Sequence, residues 1–298
     1  MRAKIIDGRA HAERLRRSVA NSVSLLTSRR RITPGLALVL VGSNEQSKRY
    51  VQKKAEQAEA VGIACQNWAF NAAVTEREIL GLIEQLNDDA SIHGILIQRP
   101  LPDHIDGAKV VNAVDPEKDV DGLHDGNAAR LAAGRPMFTP CTPLGCLILI
   151  RSVLRSLAGK HAVVIGRSEL VGRPTSHLLL AHDCTVATLH SRGHKLPEHC
   201  RVADILVVAA GSPELVRGDW IKPGATVIDV GINRVEHDGK SRIVGDVCFS
   251  EASAAAGAIT PVPGGVGPMT VGCLLANTVQ AAHASIGLRA PDFAAETY

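Results

Sequence analysis

Aromatic residues are scarce in this chain: four Phe, two Trp and two Tyr among 298 residues, 3% in all. So few rings leave little on which bases could stack, and a formal net charge of +3 supplies no electrostatic footprint for nucleic acid. The one basic run, "SRRR" at 28–31, is accounted for by a solvated helix end. No apolar run is long enough to cross a bilayer. The seven cysteines are odd in number, scattered and without a CxxC pair, which fits packed thiols in a reducing compartment. The opening "MRAKIIDGRAHAERLRR" turns polar after two isoleucines, unlike a signal peptide, so a cytoplasmic location is expected. Metal patterns are also lacking. "GHKLPEHC" has no HExxH spacing and "DPEKDVDGLH" has neither the ligand spacing nor the loop glycine of an EF-hand, so no metal is expected.

What the chain does have is 45% hydrophobic residues, enough for one large or two medium globular cores. Short runs rich in β-branched residues recur: "GLALVLVG" (35–42), "HGILIQRPLP" (93–102), "HAVVIG" (161–166), "CTVATLH" (184–190), "DILVVAAG" (204–211) and "ATVIDVG" (225–231). Continuous rather than alternating hydrophobicity marks strands covered on both faces, as in parallel sheets flanked by helices. Helical patterns lie between them, such as "EQSKRYVQKKAEQAEAVGI" with Gly62 as its C-terminal cap. The expected fold class is α/β, with two α/β domains, the second built on a Rossmann-type parallel sheet. The Pro- and Gly-rich stretch at 130–145 suggests a first domain over residues 1–138 and a second over 139–270, with a closing helix over 271–298 that returns to the first.

In "HAVVIGRSELVGRPTSHLLL" a buried strand, a turn bracketed by Gly166 and Gly172, and an amphipathic helix follow one another. Such a turn aims backbone N–H groups at an anion, although the spacing is GxxxxxG and not GxGxxG; an ordinary strand-to-helix connection would look similar. After the next strand, His190, Ser191 and Arg192 stand where NAD-specific folds carry an acid. A hydroxyl and a guanidinium suit a 2′-phosphate instead, and Arg167 and Arg173 add positive charge, so NADP is the expected cofactor.

Tyr50 and Lys54, four apart, share a helix face. Most such pairs are surface decoration, but this helix follows a strand's carboxyl end, where open α/β sheets bind ligands. Gln98 ends a second such strand, ahead of Pro100 and Pro102. Asp119 and Asp121 flank Val120 and would point in opposite directions on extended chain. Near the end, "PVPGGVGPMT" (261–270) holds three prolines, three glycines and no charge, a stiff segment with bare backbone.

Together, "YVQKK", "GILIQRPLP", "DPEKDVDG", "PCTPLG", "GRSELVGRP", "DWIKPGATVIDVGINR", "GDV" and "PVPGGVGPMTVG" resemble the bifunctional methylenetetrahydrofolate dehydrogenase/cyclohydrolase family, in order and spacing over nearly the whole chain. The resemblance implies a folate-side domain, an NADP domain, an active cleft between them and a homodimer. It implies that Lys54 is catalytic, that Gln98 bonds near it, and that Tyr50 stacks on the folate's aminobenzoyl part. Asp121 would anchor the pterin, and Pro263, Gly264, Gly265, Val266 and Gly267 would line the folate pocket with backbone that a ligand can approach. Gly166, Arg167 and Ser168 would meet cofactor phosphate, Ser191 the 2′-phosphate, and Ile232 the nicotinamide side. Arg99, "GSNEQS" and the stretch around Gly126 depart from the family's common pattern, which bears on substrate affinity and polyglutamate length. Short-chain carbonyl reductases also use Tyr-x-x-x-Lys, but after their cofactor loop and within the same domain; here the pair comes more than a hundred residues before it. An NADP-binding scaffold without chemistry would be expected to lose Lys54, Gln98 or Asp121, and all are present.

Overall fold

A computed structural model describes residues 3–237 and 240–294. The first half of the chain runs β1 (Lys4–Ile5), α1 (Gly8–Arg30), β2 (Gly35–Val41), α2 (Glu45–Ala60), β3 (Ala64–Phe70), α3 (Glu76–Asp88), β4 (Gly94–Ile97), α4 (Gly107–Asn112) and α5 (Asp125–Ala132). There follow α6 (Cys141–Arg151), β5 (His161–Ile165), α7 (Gly172–Ala181), β6 (Thr185–Leu189), α8 (Leu196–Cys200), β7 (Ile205–Val208) and β8 (Thr226–Asp229). The last elements are β9 (Asn233–His237), β10 (Lys240–Val244), α9 (Phe249–Ala255), β11 (Ala258–Ile259) and α10 (Val266–Ala284).

The chain forms two compact units. Among the described residues, one comprises Arg14–Thr139 with 271–294, the other 3–13 with Pro140–Thr270. In the first, β3, β2 and β4 form a parallel three-stranded sheet. All seven residues of β2 are buried, as its unbroken apolar run predicts for a central strand. Ala37, Val39 and Val41 pack with Ile79, Leu82, Ile83 and Leu86 of α3, and Ile95 and Ile97 of β4 join them. The apolar spacing along α3 is that of a helix laid on a sheet, and Thr75 with Glu78 closes its start as a capping box.

In the second unit the six-stranded sheet has the order β1-β11-β8-β7-β5-β6, parallel throughout. From β5 the chain goes to β6 on one side and then to β7 on the other. That reversal makes the carboxyl ends of β5 and β7 the topological switch point, where doubly wound sheets hold their ligands. Val163, Ile165, Leu206, Val208, Val227 and Ile259 form the heart of this unit's core.

The first residues, expected in the first domain, lie instead in the second unit. Lys4 and Ile5 pair with Ala258 and Ile259, a two-residue strand too short to leave a sequence pattern. The closing helix also differs from the expected 271–298. It runs Val266–Ala284 and stops where Gly287, at φ 68°, lets Leu288 N–H reach back to the His283 carbonyl. Residues 295–298 lie outside the described ones. Gly62 ends α2 by the same device, with Ile63 N–H bonded to Ala58 O. All seven cysteines are free thiols, six buried and Cys65 half-buried on β3.

Candidate active site

In the first unit the strand β4 positions the Lys54–Gln98 pair. Gln98 N–H bonds to Val39 O at 2.8 Å, so the sheet register holds Gln98 just past the strand end. Its side chain uses both ends: Nε2 donates to Arg99 O at 2.7 Å, and Oε1 accepts from Lys54 Nζ at 2.9 Å. This brings Lys54 and Gln98 together from 44 residues apart. The helix carrying Lys54 begins at Asn44, whose side chain accepts from the backbone N–H of Gln46 and Ser47. Val51, Ala55 and Ala58 bury its inner face, which leaves Lys54 half-buried at the border and Tyr50, one turn earlier, 44% exposed. An exposed ring beside a half-buried amine is a surface with an apolar plane and a polar head.

Asp121 follows the bridge between Ile95 and Asp119, and its neighbours are tied down on both sides. Asn277 Nδ2 donates to Val120 O at 2.8 Å, and Gly122 N–H bonds to Asp119 O. The opposite orientation expected on extended chain does not apply, because Val120 and Asp121 lie in a turn, but the two aspartates differ in burial. Asp119 is 3% exposed, accepts from His124 N–H and Asn127 Nδ2, and is pushed up from its ordinary value by burial. Asp121 is half-buried. Asp119 thus organises the start of α5, a role its sequence context does not reveal.

In the second unit, Gly166 closes β5 with φ 119°. A Cβ there would collide with Ala209 O at the end of β7, and one on Gly172 would collide with Gly166 O. Gly166 therefore brings the β5–α7 turn tightly against the end of β7, at the switch point, and Gly172 lets the turn close on itself. Ser168 Oγ accepts from Val171 N–H at 3.2 Å and Gly172 N–H at 3.4 Å, holding the turn over the N-terminus of α7. Arg167, Ser168 and Arg173 are exposed, and Arg173 lies 3.9 Å from Glu169. Past β6, Ser191 and Arg192 are exposed, with Arg192 N–H bonded to His190 Nδ1. Ile232, past β8, is 58% exposed.

The stretch 263–267 is less uniformly open than its composition suggests. Gly265 is buried because its missing side chain is replaced by its own chain: a Cβ would lie 2.6 Å from Pro261 O and 2.7 Å from Thr260 Cβ. Its carbonyl in turn lies where a Cβ on Gly8 would be. Gly264 faces Arg9, and Val266 is buried. Only Pro263 and Gly267 are exposed, and a Cβ on Gly267 would meet only Ile232 Cδ1, at 4.0 Å. The bareness at Gly265 serves internal packing rather than ligand approach.

Two family models cover the chain. One, the catalytic domain of tetrahydrofolate dehydrogenase/cyclohydrolase, matches residues 6–121, and the other, the NAD(P)-binding domain of the same proteins, matches residues 140–286. The chain belongs to the tetrahydrofolate dehydrogenase/cyclohydrolase family. It is 55% identical over 293 residues to the bifunctional protein FolD of Caulobacter sp. (strain K31), covering 96% of this chain and 98% of that one. Against the bifunctional protein FolD of Phenylobacterium zucineum it is 56% identical over 295 residues, 97% and 99% of the two chains. Among solved structures it resembles the Campylobacter jejuni FolD dehydrogenase/cyclohydrolase, with a TM-score of 0.91 at 44% identity and coverage of 94% and 98%. The Trypanosoma brucei enzyme, solved with NADP cofactor and an inhibitor, gives a TM-score of 0.92 at 39% identity and coverage of 96% and 99%.

Within this family, the tight Gly166 turn at the switch point and the absence of an acid after β6 fit a dinucleotide bearing a 2′-phosphate. Sequence reasoning missed the turn Ala210–Ser212, which follows β7 at the same switch point. Gly211 with φ 64° was its only signal-bearing residue.

Proposed function

We propose that this protein oxidises 5,10-methylenetetrahydrofolate to 5,10-methenyltetrahydrofolate with NADP, and hydrolyses that product to 10-formyltetrahydrofolate. The observation that carries this reading is kinship with bifunctional FolD proteins over 96% of the chain, in both units. NADP supplies the site that accepts hydride. The carbon that loses it sits between two nitrogens whose lone pairs stabilise the cation, so the chain's own task in this step is orientation and exclusion of water. Gly166, Arg167, Ser168 and Arg173 hold the phosphates, Ser191 and Arg192 the 2′-phosphate, and Ile232 borders the nicotinamide. Tyr50 stacks on the aminobenzoyl ring, Asp121 accepts from the pterin's amino edge, and the 263–267 segment forms a stiff wall whose exposed face is Pro263 and Gly267.

In the second step Lys54 serves as general base toward the water that adds to the methenyl carbon. The Gln98 carbonyl oxygen, already bonded to Nζ, holds the amine toward that water. A homodimer is the proposed assembly, supported by the open edge of β3, which among the described residues pairs with β2 alone and exposes Trp68. A cytoplasmic location is supported by seven cysteines that stay free thiols.

The test follows absorbance of NADPH with methylenetetrahydrofolate, first with NADP and then with NAD, and decay of methenyltetrahydrofolate without cofactor. Turnover of both substrates, with NADP preferred, is expected. Absence of both NADPH formation and accelerated hydrolysis would sink the reading.

A further inference from the structure

Behind the switch point lie two buried carboxylates that the reaction does not use directly. Asp246 is fully buried, and four donors converge on it. Oδ2 accepts from Ala210 N–H at 2.7 Å and Gly211 N–H at 2.8 Å, while Oδ1 accepts from Ser212 N–H at 3.0 Å and Asn233 Nδ2 at 2.8 Å. Three consecutive backbone N–H groups aimed at one point make a concavity that binds anions. Here the chain fills it with its own carboxylate, which fixes the turn after β7.

Asp246 is itself held by the second carboxylate. Asp229, 4% exposed at the end of β8, accepts from Asp246 N–H and Gly231 N–H through Oδ1 and from Val247 N–H through Oδ2. Its own N–H donates to Thr260 Oγ1 at 2.8 Å. Two glycines make this stacking of carboxylate on backbone feasible. A Cβ on Gly231 would strike Asp246 Oδ1, and one on Gly245 would strike Asp229 Oδ2. The motif "DVGIN…GDV" is therefore one device, in which each aspartate needs the other's neighbouring glycine.

The device reaches two places where the cofactor is proposed to lie. Asn233, bonded to Asp246, adjoins exposed Ile232. Ala210, bonded to Asp246, follows Ala209, whose carbonyl is the surface on which Gly166 rests. Shifting Asp246 would move the turn after β7, the turn after β8 and the seat of the phosphate loop together. We infer that Asp246 is a positioning residue for the nicotinamide nucleotide, setting the 210–212 turn and the Ile232–Asn233 segment that border it. The inference rests on the NADP reading above.

The measurements are the Kd for NADPH by fluorescence titration, KM and kcat for dehydrogenation, and cofactor-free hydrolysis of methenyltetrahydrofolate. In Asp246→Asn the amide keeps the shape but turns an N–H toward N–H donors. Its NADPH Kd is expected to rise at least about tenfold, with cofactor-free hydrolysis within about twofold of wild type. Asn233→Ala, which leaves the three backbone bonds intact, is expected to raise the Kd about two- to fivefold, and it carries the test alone if the first variant does not fold. An unchanged Kd in a folded Asp246→Asn, or in Asn233→Ala when that variant stands alone, overturns the inference. So does a hydrolysis rate that falls in step with cofactor binding. Absent NADPH binding by the wild type would instead overturn the functional reading.

Discussion

A primary amide has a donor end and an acceptor end, and Gln98 has both committed before substrate arrives. The bond from Nε2 to Arg99 O settles which way the amide faces, so its carbonyl oxygen is presented to Lys54. An acceptor held this way fixes the direction of one N–H of the amine, and so orients the proposed base. Replacing Lys54 by Ala should therefore reduce hydrolysis of methenyltetrahydrofolate by at least about a hundredfold. NADPH affinity, measured by titration, should stay at the wild-type value, since no proposed cofactor contact is touched. Hydrolysis at wild-type rates would remove Lys54 from the chemistry. The Lys54–Gln98 contact could be anticipated because the helix bearing Lys54 follows one strand end and Gln98 closes another, both with identifiable patterns. Asp119 could not, because nothing in its sequence marks the local turn that buries it against His124 and Asn127, and Asp246 could not, because its backbone donors come from a turn more than thirty residues away.

Elements read from long apolar runs lie where the runs are: β2, β4, β5, β7 and β8 all fall within them. The strand β3, "ACQNWAF", escaped because an exposed edge carries neither continuous nor alternating hydrophobicity. The hairpin β9–β10 escaped for the same reason, its sequence being largely polar. A pH-sensitive joint lies at the start of the first unit's sheet. His93 Nδ1 accepts from Gly35 N–H at 3.0 Å while its own N–H bonds to Gly35 O, which ties β4 to β2. Burial, with the nearby Lys118 charge adding to it, pulls the imidazole below its ordinary value. A histidine depressed in the fold stabilises above its unfolded value of about 6.5 and loses that contribution as the medium is acidified. His93→Asn can offer Gly35 an acceptor that does not titrate. The difference in Tm between wild type and this variant should shift against the wild type between pH 7 and pH 5. A constant difference over that range would show that His93 keeps its state.

At the scale of the whole molecule, no described helix is long and apolar enough to cross a membrane. An exposed parallel edge is a liability unless something covers it, and β3 has no partner beyond β2 among the described residues. In the proposed homodimer that cover is a second copy. Sedimentation of the 31.5 kDa chain should give about twice that mass. Trp68→Lys, which puts charge in place of a 38% exposed ring, should shift the equilibrium toward the single chain. Wild type sedimenting as one chain at micromolar concentration would contradict the assembly. The thiols, finally, bear on how such experiments are done. Six are shut inside, and burial pushes Cys65 up to about 11, so maleimides at neutral pH meet little thiolate. A dye attached through one cysteine introduced on the surface would thus report from a single known location, without first stripping the native sulfur from the chain.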